Sequence, residues 1–138
     1  MQKSHGKIQA RVGKTSLRQR IREFYQHFNG EDWPACFQFL DPVLKKKSRV
    51  DLPRYAASLA QFKEYYGHVQ VRFVEVHLFT QGQGTDSRDF AYVVILWKDK
   101  AGSYHLFRER WIKEKGRWYT RVVGLVFHEK NGKSNDKP

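Results

Sequence analysis

Arg108-Glu109-Arg110 is the most unusual polar cluster in this chain, because it interrupts an apolar run, Tyr104–Ile112, that reads as a β-strand. Side chains alternate across a strand, so Arg108 and Arg110 go to one face and Glu109 to the other. A guanidinium drawn out of water needs an anion beside it. One reading makes Arg108 or Arg110 the holder of a carboxylate- or phosphate-bearing ligand. The other is cross-strand ion pairing at an open face or a subunit seam, with Arg117 or Arg121 around Glu109. His105 shares the Glu109 face four positions away, and a histidine–carboxylate pair is able to act as a general base. Tyr25, Tyr66 and Tyr92 supply hydroxyls that fit either a pocket mouth or a core whose aromatic edges reach water.

Other chemistries lack their residues. The single cysteine, Cys36, reads as a small core residue, and the six histidines (His5, His27, His68, His77, His105 and His128) are scattered without metal-ligand spacing. There is no glycine-rich phosphate loop and no nucleophile elbow. The sequence therefore carries no expectation of a cofactor, a metal or an identifiable catalytic set.

The elements that must position these residues follow from periodicity. Leu17, Ile21, Phe24 and Phe28 recur at helical spacing after Ser16-Leu17-Arg18-Gln19, a capping-box pattern that predicts a helix start, and Asn29-Gly30 supplies the stop. A short second helix follows, with Asp32 as N-cap and Pro34 in its first turn, and Asp41-Pro42 ends it. Val43–Val50, with Lys45-Lys46-Lys47, fits a short edge strand or a solvated loop. Asp51 and Pro53 open a third helix striped by Leu52, Tyr55, Leu59, Phe62 and Tyr66, and Gly67 closes it.

From Val69 the period falls to two, and the apolar parity switches between Phe73 and Val74, which predicts a bulge and a bent sheet. Gln81–Ser87 reads as a hairpin loop. Phe90–Trp97 is apolar at nearly every position, as a strand covered on both faces would be. Trp118–Phe127 completes an antiparallel meander. The last strands carry large residues on both faces, so one face should cover the helices and the other should meet a second subunit.

At 138 residues the chain suits one domain, and its 15% aromatic content supplies a core without disulfides. The expected division is a flexible basic leader over residues 1–15, one domain over 16–128 and a polar tail over 129–138. Of the formal charge of +12, residues 1–22 hold +7, residues 23–127 hold +4 and the remainder +1. Lys3, Lys7, Arg11, Lys14 and Arg18 thus form an arm that either binds polyanions by counterion release or is simply solvated. No segment approaches the ~20 apolar residues of a membrane span. No secretory signal precedes the domain, so a cytoplasmic protein is expected; one exported with its signal already removed would read the same.

The order of these elements resembles the nuclear-transport-factor-two-like superfamily, which includes SnoaL-type polyketide cyclases and ketosteroid isomerases. The likeness is carried by FYQHFNGEDWPACFQFL and by RERWIKEKGRWYTRVVGL, and it spans about residues 16–127. It implies an α+β fold: three N-terminal helices packed on a strongly bent, mainly antiparallel sheet (a cystatin-like cone), with a conical pocket and frequent dimerisation through the sheet. The isomerase members use a tyrosine on the first helix, an aspartate base and a protonated aspartate as oxyanion donor. Aligned on the Asp32 turn, this chain has Phe24 at the tyrosine, Lys47-Ser48-Arg49 at the base and Arg108 near the acid.

The expected function is therefore that of a homodimeric cone protein, non-enzymatic or weakly catalytic, that binds a small, mainly apolar molecule with or without an acidic group. Phe24, Tyr25, Phe28, Phe62, Tyr66, Tyr92, Arg108 and Arg110 are its candidate pocket residues. A cyclase or isomerase using the His105–Glu109 pair is the enzymatic alternative, and a polyanion-binding module using the basic arm is the third.

Overall fold

A computed structural model describes residues 2–79 and 88–121, with side chains from Ser16 onward apart from that of Val74. Four helices, α1 (Gln2–Asn29), α2 (Trp33–Phe37), α3 (Pro42–Ser48) and α4 (Leu52–Tyr66), precede four strands. The strands β1 (Gln70–Phe79), β2 (Phe90–Lys98), β3 (Tyr104–Glu114) and β4 (Arg117–Thr120) pair in sequence order, each antiparallel to the next. The sheet curls into a half-barrel around the helices, an α+β cone. No described helix is long and apolar enough to cross a membrane.

Helix α1 runs through the start predicted at Ser16, because Lys3, Lys7, Gln9, Ala10 and Arg11 are good helix formers and continue the helix despite Gly6 and Gly13. Its buried stripe, Leu17, Ile21, Phe24, Tyr25 and Phe28, faces the sheet. At its end the Asn29 amide acts like a strand neighbour. Nδ2 donates to the Val69 carbonyl and Oδ1 accepts from the Val69 amide, both at 2.9 Å, which fixes where β1 begins.

Asp32 and Asp51 cap α2 and α4 as expected, accepting from Ala35 N at 3.2 Å and Arg54 N at 3.0 Å. Val43–Val50 is neither strand nor loop but mostly helix α3. Asp41-Pro42, read as the stop of the second helix, is instead the start of α3, since α2 already ends at Phe37: Asp41 accepts from Val43 N at 3.1 Å, and proline occupies the first turn. Arg49 ends α3 in the left-handed region, with φ 53°.

Asp41 also joins helices to sheet. It is fully buried, its amide donates to the Thr120 carbonyl at 2.9 Å, and the Thr120 amide donates to Phe39 O at 2.7 Å. Arg88 forks onto its carboxylate, Nη1 to Oδ1 at 2.8 Å and Nη2 to Oδ2 at 3.1 Å, and reaches Glu114 at 3.2 Å. A bidentate pair of this kind is directional as well as attractive, so it sets the angle between the short helices and the β3–β4 hairpin.

The parity switch in β1 is a bulge: the register with β2 slips between Phe73, opposite Ile95, and Glu75, opposite Val94. Val71 and Phe73 before it, and Val76 and Leu78 after it, consequently all belong to the interior cluster. The predicted loop Gln81–Ser87, and the part of the predicted last strand beyond Arg121, lie outside the described residues.

Gly67 ends α4 at φ 76° and ψ −150°, a conformation reserved for glycine, and a Cβ there would stand 2.6 Å from Lys100 Cδ. Gly67→Ala should therefore cost about 1–3 kcal/mol. A urea-unfolding midpoint equal to that of the parent chain would contradict this account of the α4–β1 junction.

Candidate functional site

The β2–β3 register decides which side chains meet. Ala91, Val93, Ile95 and Trp97 stand opposite Trp111, Glu109, Phe107 and His105, and all but His105 are buried. Tyr92, Val94, Leu96 and Lys98 stand opposite Arg110, Arg108, Leu106 and Tyr104 on the other, more open face. The Arg-Glu-Arg cluster is thus split by the sheet. Glu109 points into the cone at 4% exposure, while Arg108 and Arg110 point away from the helices.

The two arginines and Tyr92 therefore do not line the interior, contrary to the sequence expectation. Alternation permitted either parity, and contact with α1 selected this one. The other five pocket candidates are inside and touch through their rings. Tyr25 meets Phe24 and Phe28 at centroid separations of 5.0 and 5.9 Å, and Phe62 meets Tyr66 at 4.6 Å. Trp97, absent from the sequence-derived set, lies among them, 5.2 Å from Tyr25 and 4.9 Å from Phe62.

His105 and Glu109 do not form a pair. Four residues along a strand is about 13 Å, and Phe107 intervenes on the same face. His105 instead contacts Asp99 Oδ2 at 2.8 Å and sets its ring against Tyr66 at 4.8 Å. That bond, with two backbone amides of the turn, holds the Asp99 carboxyl below its usual range. Of the basic arm, Arg18 lies with its guanidinium 5.9 Å from the Phe73 ring. Lys3, Lys7, Arg11 and Lys14 belong to the first half of α1, where the backbone alone is described.

Glu109 is the polar centre of the cone. The Tyr25 hydroxyl donates to Oε2, and the Trp111 indole donates to Oε1 at 2.9 Å. A hydrogen bond to a charged group contributes roughly 1.5–3 kcal/mol. Full desolvation of a carboxylate costs several kcal/mol, so burial prevails and the Glu109 pKa is raised despite both donors. Burial, followed by the adjacent Glu109 charge, pushes the Tyr25 phenol well above its ordinary value. Tyr55 is raised as well, chiefly by burial.

Two indole donors inside, Trp97 Nε1 and Trp118 Nε1, are buried without a hydrogen bond of full geometry among the described residues, and the Trp97 indole acts as a weak donor toward the Tyr25 hydroxyl. The centre thus combines a carboxyl disposed to hold a proton, a phenol, an engaged indole and a second indole on the adjoining strand that leans on the phenol. Its parts were visible in sequence only as separate aromatics and a strand glutamate. No described group of three or more His, Cys, Asp or Glu residues is arranged to hold a metal ion.

Because the folded chain keeps the Glu109 proton to higher pH than the unfolded chain does, this group's stabilisation is complete below about pH 4.5, its ordinary value. It is lost as pH rises through the folded pKa. Unfolding midpoints of the parent and Glu109→Gln between about pH 4 and 8 should show the parent losing ground to the variant with rising pH. Parallel curves would contradict the raised pKa. Burial also pushes the Cys36 thiol up to about 12, so thiol reagents should modify it only after unfolding; rapid labelling of native protein would contradict its burial.

No protein-family model matches the chain. No curated protein matches it in sequence. Among solved structures it is similar to Aln2 from a Streptomyces species, at 10% identity and a TM-score of 0.49, over 78% of this chain and 85% of that one. It is also similar to a SEC-C motif containing protein from Rhodopseudomonas palustris, at 18% identity and a TM-score of 0.42, over 75% and 73% of the respective chains. Likenesses at these scores say nothing about what the chain does.

Proposed function

We infer that this chain is a non-catalytic, small-molecule-binding cone protein, taking a mainly apolar molecule between its helices and curled sheet. The observation that supports this most is the Glu109 centre: a buried carboxyl ringed by aromatic side chains, with the Trp97 indole beside the phenol that engages it. Mostly apolar walls with a few convergent polar groups are the usual make-up of a small-molecule site.

Glu109 narrows the ligand class. The arginines that suggested an acidic ligand are on the opposite face, and an anion brought into the cone would meet another acid. A neutral hydroxyl or ketone suits Tyr25, Glu109 and Trp97 better. Neutral apolar alcohols and ketones should therefore raise the melting temperature more than matched carboxylates do, and Trp97→Phe should shrink that shift. A chain whose melting temperature moves with neither class would overturn the reading.

One observation favours the enzymatic alternative of a cyclase or isomerase like those of the nuclear-transport-factor-two-like superfamily. Tyr25 of the first helix meets Glu109 of a later strand, each one residue beyond the position at which the resemblance sought a tyrosine and an acid. A protonated carboxyl beside a phenol is able to stabilise an enolate oxygen. The region expected to supply the base, Lys47-Ser48-Arg49, contains no carboxylate. Deuterium exchange next to the carbonyl of a cyclic ketone, lost in Glu109→Gln, would select this reading; an exchange rate equal to buffer alone would remove it.

A further inference from the structure

The outer face of the sheet is unlike the remainder of the surface. Tyr104 is 58% exposed and Leu106 66%, side by side on β3, and Tyr92 is 38% exposed at the far end of β2. Cations stand among them. Lys98 lies 5.9 Å from the Tyr104 ring, and Arg110 lies 4.7 Å from the Phe90 ring and 5.9 Å from that of Tyr92. Arg72 and Arg108 are exposed on the same face. Among the described side chains of this patch Glu75 is the acid beside these four cations, and it already contacts His77 at 3.2 Å.

Two shallow depressions flank the Leu96–Leu106 pair. One runs between Tyr92, Arg108 and Arg110, the other between Arg72, Lys98 and Tyr104. Within the first, Arg110 Nε is buried and has no hydrogen-bond partner among the described residues. Tyr104 and Arg110 are six residues apart on one strand, or about 20 Å.

We propose that this face binds single-stranded nucleic acid without sequence preference, its bases stacking on Tyr104 and Tyr92 and its phosphates lying against Arg72, Lys98, Arg108 and Arg110. Aromatic side chains spaced along an open sheet accept any base by its π-face, and interleaved arginines and lysines track the backbone. The span from one tyrosine to the other suits a site of ~4 or more nucleotides. Duplex fits poorly, because its bases are stacked on one another. A second copy of this chain fits less well than an oligonucleotide. Two such faces would bring eight cations into one seam with two acids to answer them.

The test is fluorescence anisotropy of a labelled uridine oligonucleotide of about 12 residues with the full chain, at about 50 and 200 mM salt. Binding should weaken with salt. Tyr104→Ala should reduce affinity about tenfold while Tyr104→Phe retains it, and Arg108→Ala should lower the salt slope by about one. Both residues are exposed, so these variants should keep the parent's circular dichroism.

Equal affinity of Tyr104→Ala and the parent would overturn the proposal. So would binding that survives Tyr104→Ala but disappears when Lys3, Lys7, Arg11 and Lys14 are replaced by glutamine, which would assign it to the start of α1. Heparin binding as strongly as the oligonucleotide would reduce the interaction to charge alone. Sedimentation showing a dimer that Leu106→Glu dissociates would give the face to a second copy instead.

Discussion

The hydrogen-bond register between β2 and β3 is the constraint from which both faces take their chemistry. With Val93 opposite Glu109, one carboxyl is carried into an aromatic interior and two arginines are carried out. A slip of one residue would bury Arg108 and Arg110 and expose Phe107 and Trp111. Glu109 has two donors aimed at its oxygens inside, which neither arginine could use in its place. Trp97, Phe107 and Trp111 fill the same side, so packing and polar satisfaction select the same register.

The second organising contact also rests on a buried acid. Asp41 is as buried as Glu109, but it has Arg88 in a bidentate fork and a helix N-terminus beside it. A buried ion pair with its remaining lone pairs satisfied is directional as well as attractive. One buried acid thus serves as a joint between the helical hairpin and the sheet, and the other as a polar point within an apolar volume. The difference lies in their donors: a guanidinium in one case, a phenol and an indole in the other.

Much of this architecture was legible in the sequence. Asp32, Asp51 and Asn29-Gly30 punctuate helices by local chemistry alone, and the parity change at Val74 announced the bulge. Two features were hidden by competition between signals. Asp41-Pro42 reads equally well as the end of one helix or the start of the next; here it only starts α3, α2 having stopped at Phe37, so the segment after it reads as strand or loop. Ser16 offered a helix start that a helix already running has no use for.

The face of β3 was hidden for a different reason. Leu106 and Tyr104 are nearly as apolar as Phe107 and Trp111, so hydrophobicity could not say which parity faced inward. That answer came from α1, through Tyr25, across 84 residues of chain. Pairings over such distances leave no trace in local spacing. The same holds for the Arg88–Asp41 fork, whose partners stand 47 residues apart, one of them at a helix start.

The bulge in β1 has a consequence beyond bending the sheet. It is a change of phase, so the two halves of one strand obey opposite rules about which positions must be apolar. The strand can therefore present interior side chains to two directions of the cone without a break in its pairing with β2. Any chain that lost the extra residue while keeping the surrounding sequence would have to choose which half of β1 to turn inside out.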